Sequence, residues 1–118
     1  GLVATGADGG AVRLWDLRTG RLRRALGGHT GIVATVAFSP DGRLLASGGQ
    51  DGVARIWNTT TGRSALDLRG HTDIVTAVAF SPDGRRIATA SPSGIRTGRA
   101  HASTTRIERR RTDARTTS

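Results

Sequence analysis

The stretch "GHTGIVATVAFSPDGRLLA" at residues 28–46 recurs as "GHTDIVTAVAFSPDGRRIA" at residues 70–88, with fourteen of nineteen positions identical and an offset of 42. The same offset carries Trp15 in "VRLWD" onto Trp57 in "ARIWN". One period of 42 residues therefore governs residues 1–91. Self-similarity at such a period is typical of repeat architectures in which each copy is one supersecondary unit.

Each period reads as short strands separated by turns. "IVATVAF" at residues 32–38 is rich in β-branched and apolar residues on both alternating faces, which predicts a strand buried on both sides. "SPDGR" follows, and its Pro, Asp and Gly are the residues that turns prefer. "LLASG", "VARIW" and the weaker "SALDL" predict three further strands. Each unit is therefore a four-stranded antiparallel meander, and an apolar sheet of this kind must stack on further copies of itself, as in a β-propeller.

The paired motifs Gly28-His29 and Gly70-His71, the two "FSPDG" turns, and Trp15-Asp16 with Trp57-Asn58 resemble the WD-repeat (WD40) β-propeller family. The resemblance implies an all-β fold, an incomplete propeller of about two and a half blades. It implies a partial blade with strands b to d at residues 1–27, a complete blade at 28–70, and strands a and b of a third blade at 71–91. We expect residues 92–118 to form a basic, disordered tail.

The family resemblance also implies a structural hydrogen-bond network in each blade. In the middle blade its positions are His29, Ser47, Asp51 and Trp57. A buried indole N–H and a buried imidazole each need a partner, so a satisfied network would make the sheet rigid. The flanking blades depart from the pattern: Asp8 is one position early in the first, and in the third Ser93 stands for the Asp and Arg99 for the Trp.

The function that the resemblance implies is a non-catalytic platform for protein–protein interaction. Short loops on a rigid scaffold would carry the contacts. The candidate partner-binding residues are Thr30, Gly31, Gln50, Thr72 and Asp73. The expected partners are other proteins, and further blades of a longer chain or of other copies.

The residues indicate no catalytic, cofactor-binding or metal site. There is no Cys, and His29 and His71 lie inside the repeat motif, so a structural role explains them better than metal binding. Ser39, Ser81, Asp41 and Asp83 recur as turn residues with no base beside them. Gly48-Gly49 is followed by neither a P-loop Lys nor a helix pattern.

The net charge of +9 comes from 18 Arg, with no Lys, against 9 acidic residues. Residues 92–118 carry seven Arg and two acidic residues, concentrated in "RIERRRTDAR". A segment of this kind can bind phosphate backbones, so nucleic-acid or other polyanion binding is the alternative function. The segment has no aromatic residue for base stacking, and a shifted reading frame near residue 91 would also explain its composition.

Length and composition set the remaining expectations. The longest apolar run, residues 32–38, is too short to span a membrane. We therefore expect a soluble, cytoplasmic chain with no membrane partner. The 118 residues lack Met even at position 1, and two and a half blades cannot close a ring of 4 to 8. We expect a fragment of a larger, bacterial-type WD-repeat protein, or copies that complete one another's blades.

Overall fold

The computed structural model describes residues 1–99 and 108–112, which form eleven strands in three antiparallel sheets. The first sheet contains β1 (Leu2–Gly6), β2 (Val12–Asp16) and β3 (Leu22–Leu26). The second contains β4 (Val33–Phe38), β5 (Leu44–Gly49), β6 (Ala54–Asn58) and β7 (Ser64–Leu68). The third contains β8 (Ala77–Phe80), β9 (Arg86–Ser91), β10 (Gly94–Arg99) and β11 (Glu108–Thr112). Each sheet is one blade, and strands that are consecutive in the chain are neighbours in the sheet.

The "SPDG" turns join the first two strands of the second and third blades in the same way, β4 to β5 and β8 to β9; we call these two strands of a blade strands a and b. The Ser39 hydroxyl donates to Asp41 Oδ1 at 2.7 Å, and the same carboxylate accepts from the Arg43 N–H at 3.0 Å. Ser81 and Asp83 repeat the hydroxyl contact at 2.6 Å. The Arg43 N–H and the Ser39 hydroxyl hold the pKa of Asp41 below its usual 3.8. Gly42 and Gly84 close the turns at φ of 75° and 73°, a conformation that favours glycine.

Two apolar clusters lie between the blades and hold them face to face. One cluster, between the first and second blades, consists of Val12, Leu14, Leu26, Val33, Leu45 and Trp57. The other, between the second and third blades, consists of Leu44, Ala46, Ala54, Ile56, Leu68, Val75, Val78 and Ile87. Several members are related by the 42-residue offset, among them Leu14 with Ile56 and Leu26 with Leu68. The repeat in sequence is therefore a repeat of the interface between blades.

A backbone hydrogen bond crosses each interface at the same place. The Val33 N–H donates to the Ala7 carbonyl at 3.2 Å, and 42 residues later the Val75 N–H donates to the Gly49 carbonyl at 2.9 Å. Each bond joins the chain near the start of strand a in one blade to the chain near the end of strand b in the preceding blade. The stacking is thus fixed by hydrogen bonds as well as by apolar contact.

The third blade extends further than the sequence pattern predicted. β10 pairs with β9 from Gly94↔Ser91 to Arg99↔Arg86, and β11 pairs with β10, so residues 94–99 and 108–112 of the predicted disordered tail are strands. A strand forms here without a Trp-containing motif because β9 leaves an open edge whose N–H and C=O groups need partners. The predicted disorder at residues 100–107 and 113–118 lies outside the described residues. Within the described part of the chain, there is no helix long and apolar enough to cross a membrane.

The turn before β10 is one residue shorter than its counterpart, and this changes which residues correspond. Ala90 faces Ile95, whereas Gly48 faces Ala54 across the equivalent turn. Gly98 is consequently opposite Ile87, as Trp57 is opposite Leu45. The assignment of Arg99 to the Trp position is therefore wrong by one residue.

Candidate functional site

The four network residues of the middle blade lie on two strands and in two connecting segments, and hydrogen bonds join them. His29 precedes β4, Ser47 lies on β5, Asp51 lies in the turn after β5, and Trp57 lies on β6. The Trp57 Nε1–H donates to Ser47 Oγ at 2.9 Å, and Ser47 Oγ lies 2.6 Å from His29 Nε2. On the other side of the ring, His29 Nδ1 lies 3.0 Å from Asp51 Oδ2.

The chemistry of these groups fixes the direction of the network. An indole can only donate and a carboxylate can only accept, so Ser47 Oγ accepts from Trp57, and His29 Nδ1 donates to Asp51. With a neutral imidazole, the Ser47 hydroxyl then donates to His29 Nε2. The side chain of His29 is fully buried, and every polar atom of its ring has a partner. A network with all of its members satisfied stabilises one arrangement of the blade.

Asp51 anchors the outer end of the network and also ties the loop before β4. Its carboxylate accepts from the Thr30 N–H at 3.1 Å and from the Val53 N–H at 3.2 Å. Partial burial raises the pKa of this carboxyl, but the two backbone hydrogen bonds and the contact with His29 outweigh burial and bring the pKa below 3.8. Asp51 is consequently ionised at neutral pH.

The flanking blades contain only parts of this network. In the first blade, the Trp15 Nε1–H donates to Thr5 Oγ1 at 2.8 Å, which repeats the Trp57–Ser47 bond. In the third blade, His71 Nε2 lies 2.8 Å from Thr89 Oγ1, which repeats the His29–Ser47 contact. Ser93, by contrast, contacts Ser91 at 3.0 Å and not His71.

The predicted partner-binding loops lie at one end of the strands. Thr30, Gly31 and Gln50 are exposed. The Gln50 N–H donates to the Ile32 carbonyl at 3.0 Å, and the Ile32 N–H donates to Gln50 Oε1 at 3.3 Å. These bonds join the loop before β4 to the turn after β5, so Thr30, Gly31 and Gln50 form one continuous surface.

The second pair of predicted loop residues, Thr72 and Asp73, lies beside the same surface. Both are exposed. A Cβ atom added at Gly52, next to Asp51, would come within 2.8 Å of the His71 carbonyl oxygen and 3.2 Å of the Asp73 carbonyl oxygen. The turn of the second blade thus packs on the loop of the third. We call the exposed surface formed by Thr30, Gly31, Gln50, Thr72 and Asp73 the loop face.

Sequence reasoning missed an arginine that supports the loop in the second blade and another that does so in the third. Arg55 Nη1 lies 2.9 Å from Asp67 Oδ1, and its guanidinium packs beneath Gly28. Arg96 takes the same place in the third blade, where it packs beneath Gly70 and donates to the Gly70 carbonyl at 2.7 Å. Because the turn before β10 is one residue shorter, a comparison of the sequence at an offset of 42 does not align Arg55 with Arg96.

A pocket opens beside Arg96 in the third blade. Its cavity volume is about 150 Å³. The lining comprises Gly70, His71, Thr72, Ser93, Gly94, Ile95 and Arg96. Burial lowers the pKa of His71 below 6.5, the positive charge of Arg96 lowers it further, and the contact with Thr89 opposes the shift. The pocket is therefore lined by hydrogen-bond donors and one permanent cation.

His29 and His71 do not belong to a metal-binding cluster of described residues. Residues 109–111 are the arginines that suggested nucleic-acid binding as the alternative function, and they form part of β11. Residues 1–99 and 108–112 contain no group of three or more His, Cys, Asp or Glu placed to hold a metal ion.

Comparison with known proteins agrees with the repeat described above. The profile of the family described as "WD domain, G-beta repeat" matches residues 20–58 and 62–96, which is more than half of the chain. The zebrafish (Danio rerio) WD repeat and SOCS box-containing protein 1 is 46% identical over 44 residues, 37% of this chain and 10% of its own length.

Two other relatives resemble the chain over stretches of similar length. The eukaryotic translation initiation factor 3 subunit I of Culex quinquefasciatus is 40% identical over 43 residues, 36% of this chain and 13% of its own length. Mitochondrial division protein 1 of Emericella nidulans is 53% identical over 36 residues, 30% of this chain and 6% of its own length. The matches span about a tenth of these curated relatives. Since the profile matches more than half of the chain, the chain belongs to the WD-repeat family.

Proposed function

We propose that the chain acts as a non-catalytic scaffold for protein–protein interaction, with the loop face as its contact surface. The observation that carries the proposal is the combination of exposure and rigidity at this face. All five loop-face residues are exposed, and the backbone beneath them is held by the Asp51 carboxylate and by the Val75–Gly49 hydrogen bond. Loops that are fixed on a rigid scaffold can bind a partner at a small cost in conformational entropy.

The names of the relatives support a general platform more than a specific process. They refer to a SOCS box, to translation initiation and to mitochondrial division. The segment similar to this chain is therefore shared by proteins of different processes. The partner of this chain would be chosen by its own loop residues.

The chain carries a matched pair of positions for testing the loop face. Thr30 lies on this face, whereas Thr60 is an exposed threonine in the turn between β6 and β7, at the opposite end of the strands. Thr30→Arg and Thr60→Arg add the same side chain and the same charge. Affinity purification of each variant, with quantitative mass spectrometry of the bound proteins, would compare the two ends.

We expect a set of proteins bound by the wild type and by Thr60→Arg to be lost with Thr30→Arg. Binding that survives Thr30→Arg, or that both variants lose equally, would contradict the proposal. Circular dichroism of the three proteins would establish that each keeps its β-sheet content.

A further inference from the structure

The pocket in the third blade lies where the second blade holds an aspartate side chain. Asp51 fills that place in the second blade and accepts hydrogen bonds from His29 Nδ1 and the Thr30 N–H. The corresponding donors in the third blade are His71 Nδ1 and the Thr72 N–H. Pro92 and Ser93 occupy the corresponding turn, and neither has a carboxylate. Among the described residues, no acceptor lies within hydrogen-bonding distance of either donor.

A second carboxylate of the middle blade has also been replaced. Arg55 is opposite Asp67 in the pairing of β6 with β7, and the two form an ion pair at 2.9 Å. In the pairing of β10 with β11, Arg96 is opposite Arg111. No carboxylate of residues 1–99 lies within ion-pair distance of Arg96. Within residues 1–99, the third blade has thus kept the donors of the second blade without an acidic partner for them.

The charges around the pocket favour an anionic ligand. His71 comes from the loop before β8, Arg96 from β10 and Thr89 from β9. The nearest acid in the loop is Asp73, whose Oδ1 accepts from the Ile74 N–H at 2.7 Å and which does not line the pocket. An anion in the pocket would gain a charge-assisted hydrogen bond.

The second blade indicates which anion fits the pocket. A volume of about 150 Å³ accommodates an acidic side chain. The second blade shows that a carboxylate fits this arrangement of donors, because Asp51 occupies it there. We propose that the pocket formed by His71, Thr72, Ser93 and Arg96 binds the carboxylate of an Asp or Glu side chain supplied by a partner protein.

This inference rests on the proposed scaffold function and specifies the chemistry of the partner at one point of the loop face. Its test uses small probes, so that it can fail while the scaffold function stands. The probes are N-acetyl-aspartate amide and, as an isosteric neutral control, N-acetyl-asparagine amide. Each is titrated into the full chain at neutral pH and constant ionic strength, and the imidazole signals of His71 and His29 are followed by NMR.

The second blade provides an internal control because Asp51 already occupies the equivalent place beside His29. We expect a saturable shift of the His71 signals with the aspartate probe, no shift with the asparagine probe, and no shift of His29. Arg96→Gln should weaken binding about tenfold, which corresponds to the loss of one charge-assisted hydrogen bond. Ser93→Asp should abolish it by placing a carboxylate in the turn.

Several outcomes would overturn the proposal. They are the absence of a saturable His71 response, an equal response to the asparagine probe, an equal response at His29, or binding that Arg96→Gln leaves unchanged. If the probe does not bind but Thr30→Arg still removes protein partners selectively, the carboxylate site is wrong and the scaffold function is retained. If the probe binds and no protein partner depends on the loop face, the pocket binds a carboxylate, but the scaffold function and the protein source of that carboxylate are both wrong.

Discussion

Ser47 Oγ lies 2.9 Å from Trp57 Nε1 and, on its other side, 2.6 Å from His29 Nε2. One hydroxyl therefore satisfies a buried indole N–H from β6 and a buried imidazole nitrogen from the loop before β4. Ser47 itself is fully buried, so bulk water does not compete for these hydrogen bonds. The bridge joins two strands and a loop through a single atom.

Ser47→Ala should destabilise the chain by about 1–3 kcal/mol, because it leaves buried polar groups without partners. Ser47→Thr is the matched variant, since Thr5 and Thr89 make the corresponding bonds to Trp15 and His71 in the other blades. We expect Ser47→Thr to cost less than Ser47→Ala in urea unfolding. Equal losses would show that packing, and not the hydrogen bonds, determines the contribution of this side chain.

Trp57→Ala should cost about 3–5 kcal/mol, because the indole is 3% exposed and is part of the apolar cluster between the first two blades. Trp15 is the matched position, since it makes the same indole bond to a strand b hydroxyl but lies half-buried on the other face of the first blade. Trp15→Ala should cost distinctly less in the same denaturant titration. A comparable loss of stability at both positions would show that burial between the first two blades does not determine the contribution of Trp57.

The repeat period predicted the fold because the strand and turn residues recur at a fixed spacing. His29, Ser47, Asp51 and Trp57 were predicted from the resemblance to the WD-repeat family and not from the period, since Asp51 has no aspartate 42 residues before or after it, and the structure brings the four side chains together. Arg96 could not be found, because a turn one residue shorter moves it off the 42-residue period. The β10 strand was missed for a related reason: its pairing follows from the open edge of β9, and "GIRTGR" carries no strong strand pattern of its own.

Gly52→Ala and Gly42→Ala separate the effect of backbone conformation from the effect of close approach between blades. Both residues have a positive φ, 73° and 75°, so alanine at either position costs about 1–2 kcal/mol of backbone strain. A Cβ at Gly42 meets nothing within 4 Å, whereas a Cβ at Gly52 comes within 2.8 Å of the His71 carbonyl oxygen. Gly52→Ala should therefore be clearly more destabilising in thermal and urea unfolding.

The difference between these two variants measures how tightly the second turn packs on the loop of the third blade. If the two alanine variants lose the same stability, the contact between Gly52 and the His71 carbonyl oxygen makes no contribution.

The lowered pKa of His71 predicts a loss of stability in mild acid. Burial is the main cause and Arg96 adds to it, so the unfolded chain binds a proton at this position near 6.5, above the pKa of the folded state. Stability should be constant above pH 6.5 and should fall as the pH decreases from 6.5 to the folded pKa. Melting temperatures of the wild type and His71→Gln across this range should differ in slope, with the flatter curve for the variant.

Arg96→Gln provides the corresponding test on the native protein. Removing this charge should raise the pKa of His71 measured by NMR, while burial still keeps it below 6.5. A pKa that does not move would mean that Arg96 has no electrostatic contact with the ring.

Asp51→Asn should change how the stability of the chain depends on pH in the acidic range where carboxyl groups titrate. The pKa of Asp51 is held below 3.8, because hydrogen bonds from Thr30, Val53 and His29 outweigh its partial burial. A carboxyl whose pKa is lower in the folded state contributes stability above its unfolded pKa and loses that contribution as the pH falls through the folded value. The wild type should therefore be more stable than Asp51→Asn at neutral pH, and the gap in melting temperature should narrow below pH 3.8.

Asp41→Asn is the comparison, since Asp41 also has a lowered pKa but lies in the exposed "SPDG" turn, where solvent screening keeps the gap small. A gap between wild type and Asp51→Asn that is independent of pH would show that the shape of the side chain, and not its charge, holds the loop.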